Sequence, residues 1–384
     1  MPGGADAARG VAQGRDVGAP VSLEELEADP HATLARLRAT EPVAWVDALD
    51  GWLVTSRELA LEVMRDSGRF TVDDPRFTTA RVVGPSMLSL DGAEHARHRE
   101  PWLPRFGRGQ VHERLGPVVT RETDRLLDAV ADRGRADLRA ALAGPLAAAV
   151  VGHALELEAD PETVLGWYRA IVDSVQAMTA GSEPTAAGRD AFAELAAALD
   201  TDAASDAAVI LFGGIETTEG MIATALWYLL REPGGAERAL ADPAWLEGAI
   251  EESLRLEPAA AMVDRYATAD TTLGGAAVGA GDLVAVSVTA ANRDPETFPD
   301  PDRFDPLRAN AKRHLAFASG PHVCIGVHLA RLEAHTAVRR VLERLPGLAL
   351  ADPRSAAPRG LVFRKPPQLE VTWRPEPERS SLRT

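Results

Sequence analysis

The chain has 384 residues, 46% of them hydrophobic and 26% charged, with a formal net charge of -16 at pH 7. That length permits a large buried core and, as a soft prior, two or three domains. The acidic balance argues against a nucleic-acid binder, which needs a basic face, and the single cysteine excludes an intrachain disulfide framework and fits a reducing cytoplasm.

Residues 1–20, "MPGGADAARGVAQGRDVGAP", are Gly/Ala-rich without the apolar stretch of a signal peptide, and are expected to form a flexible N-terminal segment. Strands are expected at "PVAWVD" and "GWLVTS", but helical periodicity dominates from Leu23 to Leu256. Within it, residues 205–230 predict one helix of roughly 39 Å. Gly213 and Gly214 lie inside that helix, where each costs about 1 kcal/mol relative to Ala. That cost asks for a reason. Positions 209, 213, 216, 217 and 220 share one face, which sets Glu216 and Thr217 beside glycines on an otherwise apolar helix. Either a ligand lies against the backbone there, or the glycines serve packing and Glu216 faces solvent. No stretch reaches about 18 uninterrupted apolar residues, so no membrane span is expected.

Glu252 and Arg255, in "AIEESLRLEP", are three apart on one helical face and can pair, a spacing common on ordinary surfaces. "VDRYATAD" sets Arg265 just before a strand, and "TTLGGAAVGAGDLVAVSV" reads as strands with glycine turns. The polar, Pro-rich stretch "NRDPETFPDPDRFDPLRANAKRH" is too irregular for a regular element, and loops of its length are usually functional. Short strands are expected again at "GLVFRK" and "LEVTW". The expected fold class is mainly α with a small β region, as a single domain over residues 21–374 with a flexible tail at 375–384.

The chain's one cysteine lies in "FASGPHVCIG", residues 317–326. Ser319, Gly320 and Pro321 break regular structure and a helical pattern resumes at Ile325, so Cys324 stands where a loop enters a helix. Unpaired N–H groups and the positive dipole end there favour a thiolate, which serves as nucleophile or soft-metal ligand. A lone cysteine is more often buried and inert. Zinc normally takes four ligands with recognisable spacing, and only His314, His322 and His328 lie near. A nucleophilic cysteine needs an identifiable base, and none is marked by the sequence.

The spacing F-x-x-G-x-H-x-C-x-G, set by Phe317, Gly320, His322, Cys324 and Gly326 and followed by "LARLE", resembles the haem-binding signature of the cytochrome P-450 family. Glycines let a backbone pass close to a flat macrocycle, and an anionic sulfur pushes electron density onto iron. Ala318 stands where many members carry Gly; its small size is expected to be tolerated. Gly213, Gly214, Glu216 and Thr217 match the family's oxygen-activation helix, which implies that Thr217 steadies dioxygen and Glu216 belongs to a proton relay. "AIEESLRLEP" and the later "PDRF" imply a structural clamp of Glu252, Arg255 and Arg303. His95 and Arg99 in "DGAEHARHRE", with Arg265 and His322, occupy positions at which the family contacts haem propionates. "AANRDP", "FPDPDRFD" and "HLAF" match as well, so the resemblance runs from about residue 20 to 373.

The resemblance implies a triangular-prism fold around haem b and a bacterial-type haem-thiolate monooxygenase. Such an oxidoreductase inserts one atom of O2 into an apolar organic molecule, here expected to belong to secondary metabolism. NAD(P)H electrons are expected to arrive indirectly, through a ferredoxin and its ferredoxin reductase. A cytoplasmic monomer with no nucleic-acid or membrane partner is expected. Peroxide-driven or non-oxygenating oxidation on the same haem stays open, as does a non-catalytic haem sensor. The pocket is expected to draw on residues 70–88, on "WYRAIVDSVQAM", on 209–213, on "PAAAMV" and on "GLVF", with Arg76 and Arg81 facing water. A basic group of Arg97, Arg105, Arg108, Lys312, Arg313, Arg331, Arg339 and Arg340 is expected to steer ferredoxin docking.

Overall fold

Apolar periodicity is spent mostly on helices, and the computed structural model describes residues 20–179, 182–199, 203–352 and 357–375. The expected flexible ends, 1–20 and 375–384, lie outside the described residues apart from Pro20 and Pro375. Helices of six residues or more are α1 (Leu23–Ala28), α2 (His31–Thr40), α3 (Arg57–Arg65), α4 (Thr78–Val83), α5 (Gly92–Arg99) and α6 (Gly116–Asp128). They continue as α7 (Gly144–Ala154), α8 (Pro161–Thr179), α9 (Ala186–Ala197), α10 (Ala204–Arg231), α11 (Gly235–Ala241), α12 (Pro243–Leu256) and α13 (Val327–Arg344).

Local chemistry sets several boundaries. Ser22 and Ser56 accept hydrogen bonds from Glu25 and Leu59 N–H groups at the starts of α1 and α3. Asp242 caps α12, with Pro243 at its first position, where a missing N–H costs nothing. Pro258 then forces Glu257 out of helical geometry and ends α12.

The main sheet is built from β1 (Val43–Val46), β2 (Gly51–Val54), β3 (Phe70–Thr71), β5 (Met262–Ala267) and β8 (Leu283–Ser287), in the order β1-β2-β8-β5-β3. β1 and β2 form an antiparallel hairpin with Trp45 opposite Trp52, β2 runs parallel to β8, and β5 pairs antiparallel with β8. Arg265 therefore lies within a strand, not before one. A second sheet joins Arg135–Asp137 (β4), Glu370–Thr372 (β10) and Ala349–Leu350 (β9), and β6 (Thr271–Leu273) pairs with β7 (Ala276–Val278). The expected strand at "GLVFRK" is reduced to single bridges, Ala260 with Phe363 and Arg359 with Lys365. Pro358, Pro366 and Pro367 flank it and remove the donors a ladder needs.

α10 runs through the helical core, packed by α7, α12 and α13. By length and composition it could cross a membrane, yet 72% of its apolar window is buried inside the protein. Gly214 allows its close approach to α7, since a Cβ there would meet Val151 Cγ2 at 2.9 Å.

α12 carries the clamp. Arg255 donates from Nε and Nη2 to both oxygens of Glu252 at 2.7 Å, and neither side chain has any exposed surface. Its remaining donors reach the carbonyls of Asn292, Pro301 and Arg303. The third member is Arg308 in place of the expected Arg303. Arg308 Nε donates to Glu252 Oε1 at 2.7 Å, and its other nitrogens reach the carbonyls of Pro299, Asp300 and Arg303. The chain reverses at Asp300, with φ of 47°, so that Arg303 offers its carbonyl inward while the residue itself is exposed. Arg308→Ala is therefore expected to cost about 3 kcal/mol, because it removes one cation from a buried carboxylate. Arg303→Ala should stay within about 0.5 kcal/mol of wild type. Urea midpoints of the two variants check this; the reverse order would return the clamp to Arg303.

Candidate active site

The loop that carries Cys324 is held at both ends. Leu315 N–H donates to Asn292 Oδ1 at 2.6 Å, and Cys324 N–H donates to the Phe317 carbonyl at 2.9 Å. Gly320, with φ of +77°, lies against the end of α3, where a Cβ would sit 2.5 Å from the Met64 carbonyl oxygen. Only glycine fits there. Ala318 also has positive φ, 59°, a conformation that costs a side-chain-bearing residue roughly 1–2 kcal/mol. Its size is tolerated, but its backbone is strained.

Glu251, adjacent to the clamp, braces the same loop. Its oxygens accept from Arg331 Nε at 2.6 Å and Nη2 at 2.9 Å, and Oε2 meets His314 Nε2 at 3.1 Å. Arg331 lies over the Phe317 ring at 4.6 Å, so one carboxylate positions both neighbours of that ring.

Cys324 is enclosed by protein, and its accessible surface opens onto an internal cavity of about 250 Å³. Burial pushes the thiol upward, against the Gly326 N–H and the charges of Arg99 and Arg331. The thiolate expected from the helix start thus needs a further positive partner, such as a metal ion. The same cavity is lined by Gly213, Gly214 and Thr217 of α10 and by the apolar Met87, Ala259 and Val263. Nothing stands within 4 Å of the position a Gly213 Cβ would take. The two glycines thus have different reasons: Gly214 packs, and Gly213 opens space.

The four expected cationic groups gather at one edge. The His95 and His322 rings lie 4.4 Å apart, and His322 Nε2 meets Asp91 Oδ1 at 2.8 Å. Burial would raise Asp91, but hydrogen bonds from His322, Thr71 and the Val72 N–H outweigh it and hold the carboxyl low. Arg265 is pulled down by burial and supported by Asp91 and Asp264; Arg99 Nη2 donates to the Val323 carbonyl at 2.5 Å. Burial first, then His322 and Arg99, lower His95 to about 4, and its buried Nε2 has no partner. Two arginines and two imidazoles gather here with Asp91 and Asp264, and a buried polar atom, His95 Nε2, stands unpaired. That arrangement fits the two propionates of a haem, with Cys324 as the sulfur ligand.

Of the other expected residues, Phe317, His322, Gly326 and Arg99 line the cavity, and Thr217 Oγ1 donates to the Gly213 carbonyl at 2.6 Å. Glu216 does not line it. Its carboxylate bonds the Tyr168 hydroxyl and Lys365 Nζ, and Lys365 also reaches Glu219. Six of the eight expected docking cations are paired: Arg97, Arg105, Arg331, Arg339, Arg340 and Lys312 each lie within 4 Å of a carboxylate. Arg76 faces water as expected, exposed while Asp74 and the Gly281 carbonyl hold its guanidinium over the Tyr266 ring. Missed altogether was Glu333 of α13, which lines the cavity with Oε2 unpaired; burial drives its carboxyl well above the usual range. "LARLE" held the signal, an acid closing an apolar turn.

Glu251 gives the site a pH signature. Burial alone would raise it, but His314 and Arg331 bring it from 4.5 down to about 2. A depressed carboxylate stabilises the fold above the unfolded value and loses that contribution as pH falls toward the folded one. Glu251→Gln should cost on the order of 3 kcal/mol at neutral pH, and the gap to wild type should shrink by about 1 kcal/mol by about pH 3.5. Urea unfolding of both proteins at the two pH values measures this; a constant gap would remove Glu251 from the acid response.

The family model described as Cytochrome P-450 matches residues 194–371. The monooxygenase PikC of Streptomyces venezuelae is 36% identical over 392 residues, covering 91% of this chain and 92% of its own. Nocardicin C N-oxygenase of Nocardia uniformis subsp. tsuyamanensis is 34% identical, covering 93% of this chain and 97% of its own. Among solved structures, CalO2 superposes with a TM-score of 0.82 at 27% identity, over 92% of this chain and 99% of that one.

Proposed function

The chain belongs to the cytochrome P-450 family and is a haem-thiolate monooxygenase; from that premise we propose which of its residues carry the reaction. Cys324 would hold the haem iron through its sulfur, a role supported by the opening of that sulfur onto the cavity that Gly213 and Thr217 also line. That single placement carries the reading. His95, Arg99, Arg265 and His322 would hold the propionates of haem b, supported by their clustering around Asp91 and by the unpaired His95 Nε2. The fold between residues 21 and 374 acts as one cytoplasmic domain. When bound, the haem supplies the iron at which O2 is activated with two electrons.

The protein's own part is positioning, water exclusion and proton delivery. Gly213 leaves room beside α10 for a small molecule, and the apolar wall formed by Met87, Val209, Ala259 and Val263 keeps bulk water out and suits an apolar organic substrate. Thr217 holds a proton on a hydroxyl aimed at the Gly213 carbonyl, one rotation from the cavity. Glu216 feeds that hydroxyl only after exchanging its bond to Lys365 for water. Glu252, Arg255 and Arg308 hold the cysteine loop without touching reactants. Electrons come from a ferredoxin and its NAD(P)H-dependent reductase, docking beside Arg108 and Arg313, which have no carboxylate within 4 Å among the described residues.

Thr217→Ala tests the proton role. Haem content and substrate-induced spin shift should be unchanged, while product per NAD(P)H falls at least about tenfold and released peroxide rises. With added hydrogen peroxide the variant should turn over within about twofold of wild type, because that oxidant arrives already protonated. Unchanged product per NAD(P)H would deny Thr217 the role.

A further inference from the structure

The first turn of α10 holds a carboxylate that the reaction does not use. Asp206 is almost wholly buried; its Oδ1 accepts from the Met87 N–H at 2.7 Å, and its Oδ2 pairs with His98 Nδ1 at 2.8 Å. Beside it, Ser205 Oγ donates to the Val83 carbonyl at 2.5 Å. Two adjacent side chains thus hold the segment from Val83 to Met87 at two points. The segment is otherwise turned by its own short bonds. α4 stops at Gly84, with φ of +86°, and Ser86 and Ser89 exchange hydrogen bonds across the turn. Met87 and Leu88, directly after the anchor, form part of the cavity wall.

His98 lies on α5 between His95 and Arg99, both in the cationic cluster. Asp206 therefore joins three pieces: the start of the helix over the cavity, the segment that closes it, and the helix facing the cluster. A negative group is favoured in a helix's first turn, and its bond to an imidazole is charge-assisted. Removing it would leave a buried backbone N–H without a partner, at the point where the wall is otherwise held by local turns.

We propose that Asp206 is a positioning residue which, with Ser205, latches the 83–88 segment onto α10 and so fixes the size and shape of ligand the cavity accepts. This rests on the reading of the cavity as the haem and substrate site. Asp206 touches neither reactant. It acts through Met87 and Leu88, so its loss should weaken bulky ligands that reach this wall and spare small ones that do not.

Two readouts test the latch on haem-loaded protein: Asp206→Ala, with Ser205→Ala as the milder second variant and Asp206→Asn as the conservative one. Trypsin cleavage after the exposed Arg81, mapped by fragment mass, should be at least about fivefold faster in Asp206→Ala. It should also be faster in Ser205→Ala, and near wild type in Asp206→Asn, whose carbonyl still accepts from Met87. In spectral titrations, clotrimazole, a bulky triaryl imidazole, should bind about tenfold more weakly to Asp206→Ala, while imidazole itself stays within about twofold. A merely structural loss would move both azoles together. Equal cleavage rates with an unchanged clotrimazole-to-imidazole ratio in both Ala variants would overturn the latch. A wild type that bound neither azole would instead overturn the cavity reading, leaving the trypsin comparison to judge the latch.

Discussion

An ion pair without exposed surface, Arg255 with Glu252, is what the rest of the site depends on. Between Ala291 and Val327 regular structure is limited to two three-residue turns, Ala311–Arg313 and Gly320–His322. Carbonyls in such a stretch have no ladder to satisfy them. Arg255 and Arg308 take up those of Asn292, Pro299, Asp300, Pro301 and Arg303 while sharing Glu252 as counter-charge. Burying these charges is costly, and the cost is offset only because their donors find acceptors. A lysine's point charge could not reproduce the fork. From Asn292 the constraint passes to Leu315, and from Glu251 to His314 and Arg331, so the cysteine loop inherits its position from α12.

The cationic edge of the cavity obeys the opposite rule. Every polar side-chain atom of Arg255 and Glu252 has a partner, whereas the cluster of His95, Arg99, Arg265 and His322 leaves His95 Nε2 unpaired. Folding alone gains nothing from such an imbalance. A group that brings negative charge and hydrogen-bond acceptors relieves it. Glu333 shows the same incompleteness on the side of α13.

How much of this was legible in sequence depended on whether the signal was local. α10 announced itself by length and period, and Cys324 by its loop-to-helix position. The glycine pair left packing and ligand readings open, and the answer came from another helix, since Val151 explains Gly214 and open space explains Gly213. Arg303 and Arg308 could not be told apart by spacing, because the reversal at Asp300 decides which side chain turns inward. Glu216 shares a helical face with Thr217, but Lys365, nearly 150 positions away, claims its carboxylate. Arg105, Lys312, Arg331 and Arg340 looked free because their carboxylate partners come from other elements, whereas Arg97 and Arg339 pair within their own helices. At Ala318 side-chain size was the wrong criterion, since only the backbone angle reveals the strain.

The central claim is that the lone thiol binds the haem iron, and the ferrous–CO difference spectrum addresses it most directly. Wild type purified with haem is expected to show the strongly red-shifted Soret band of thiolate ligation, and Cys324→Ser, folded by far-UV circular dichroism, is expected to lack it. A Cys324→Ser protein that kept that band would contradict ligation by Cys324.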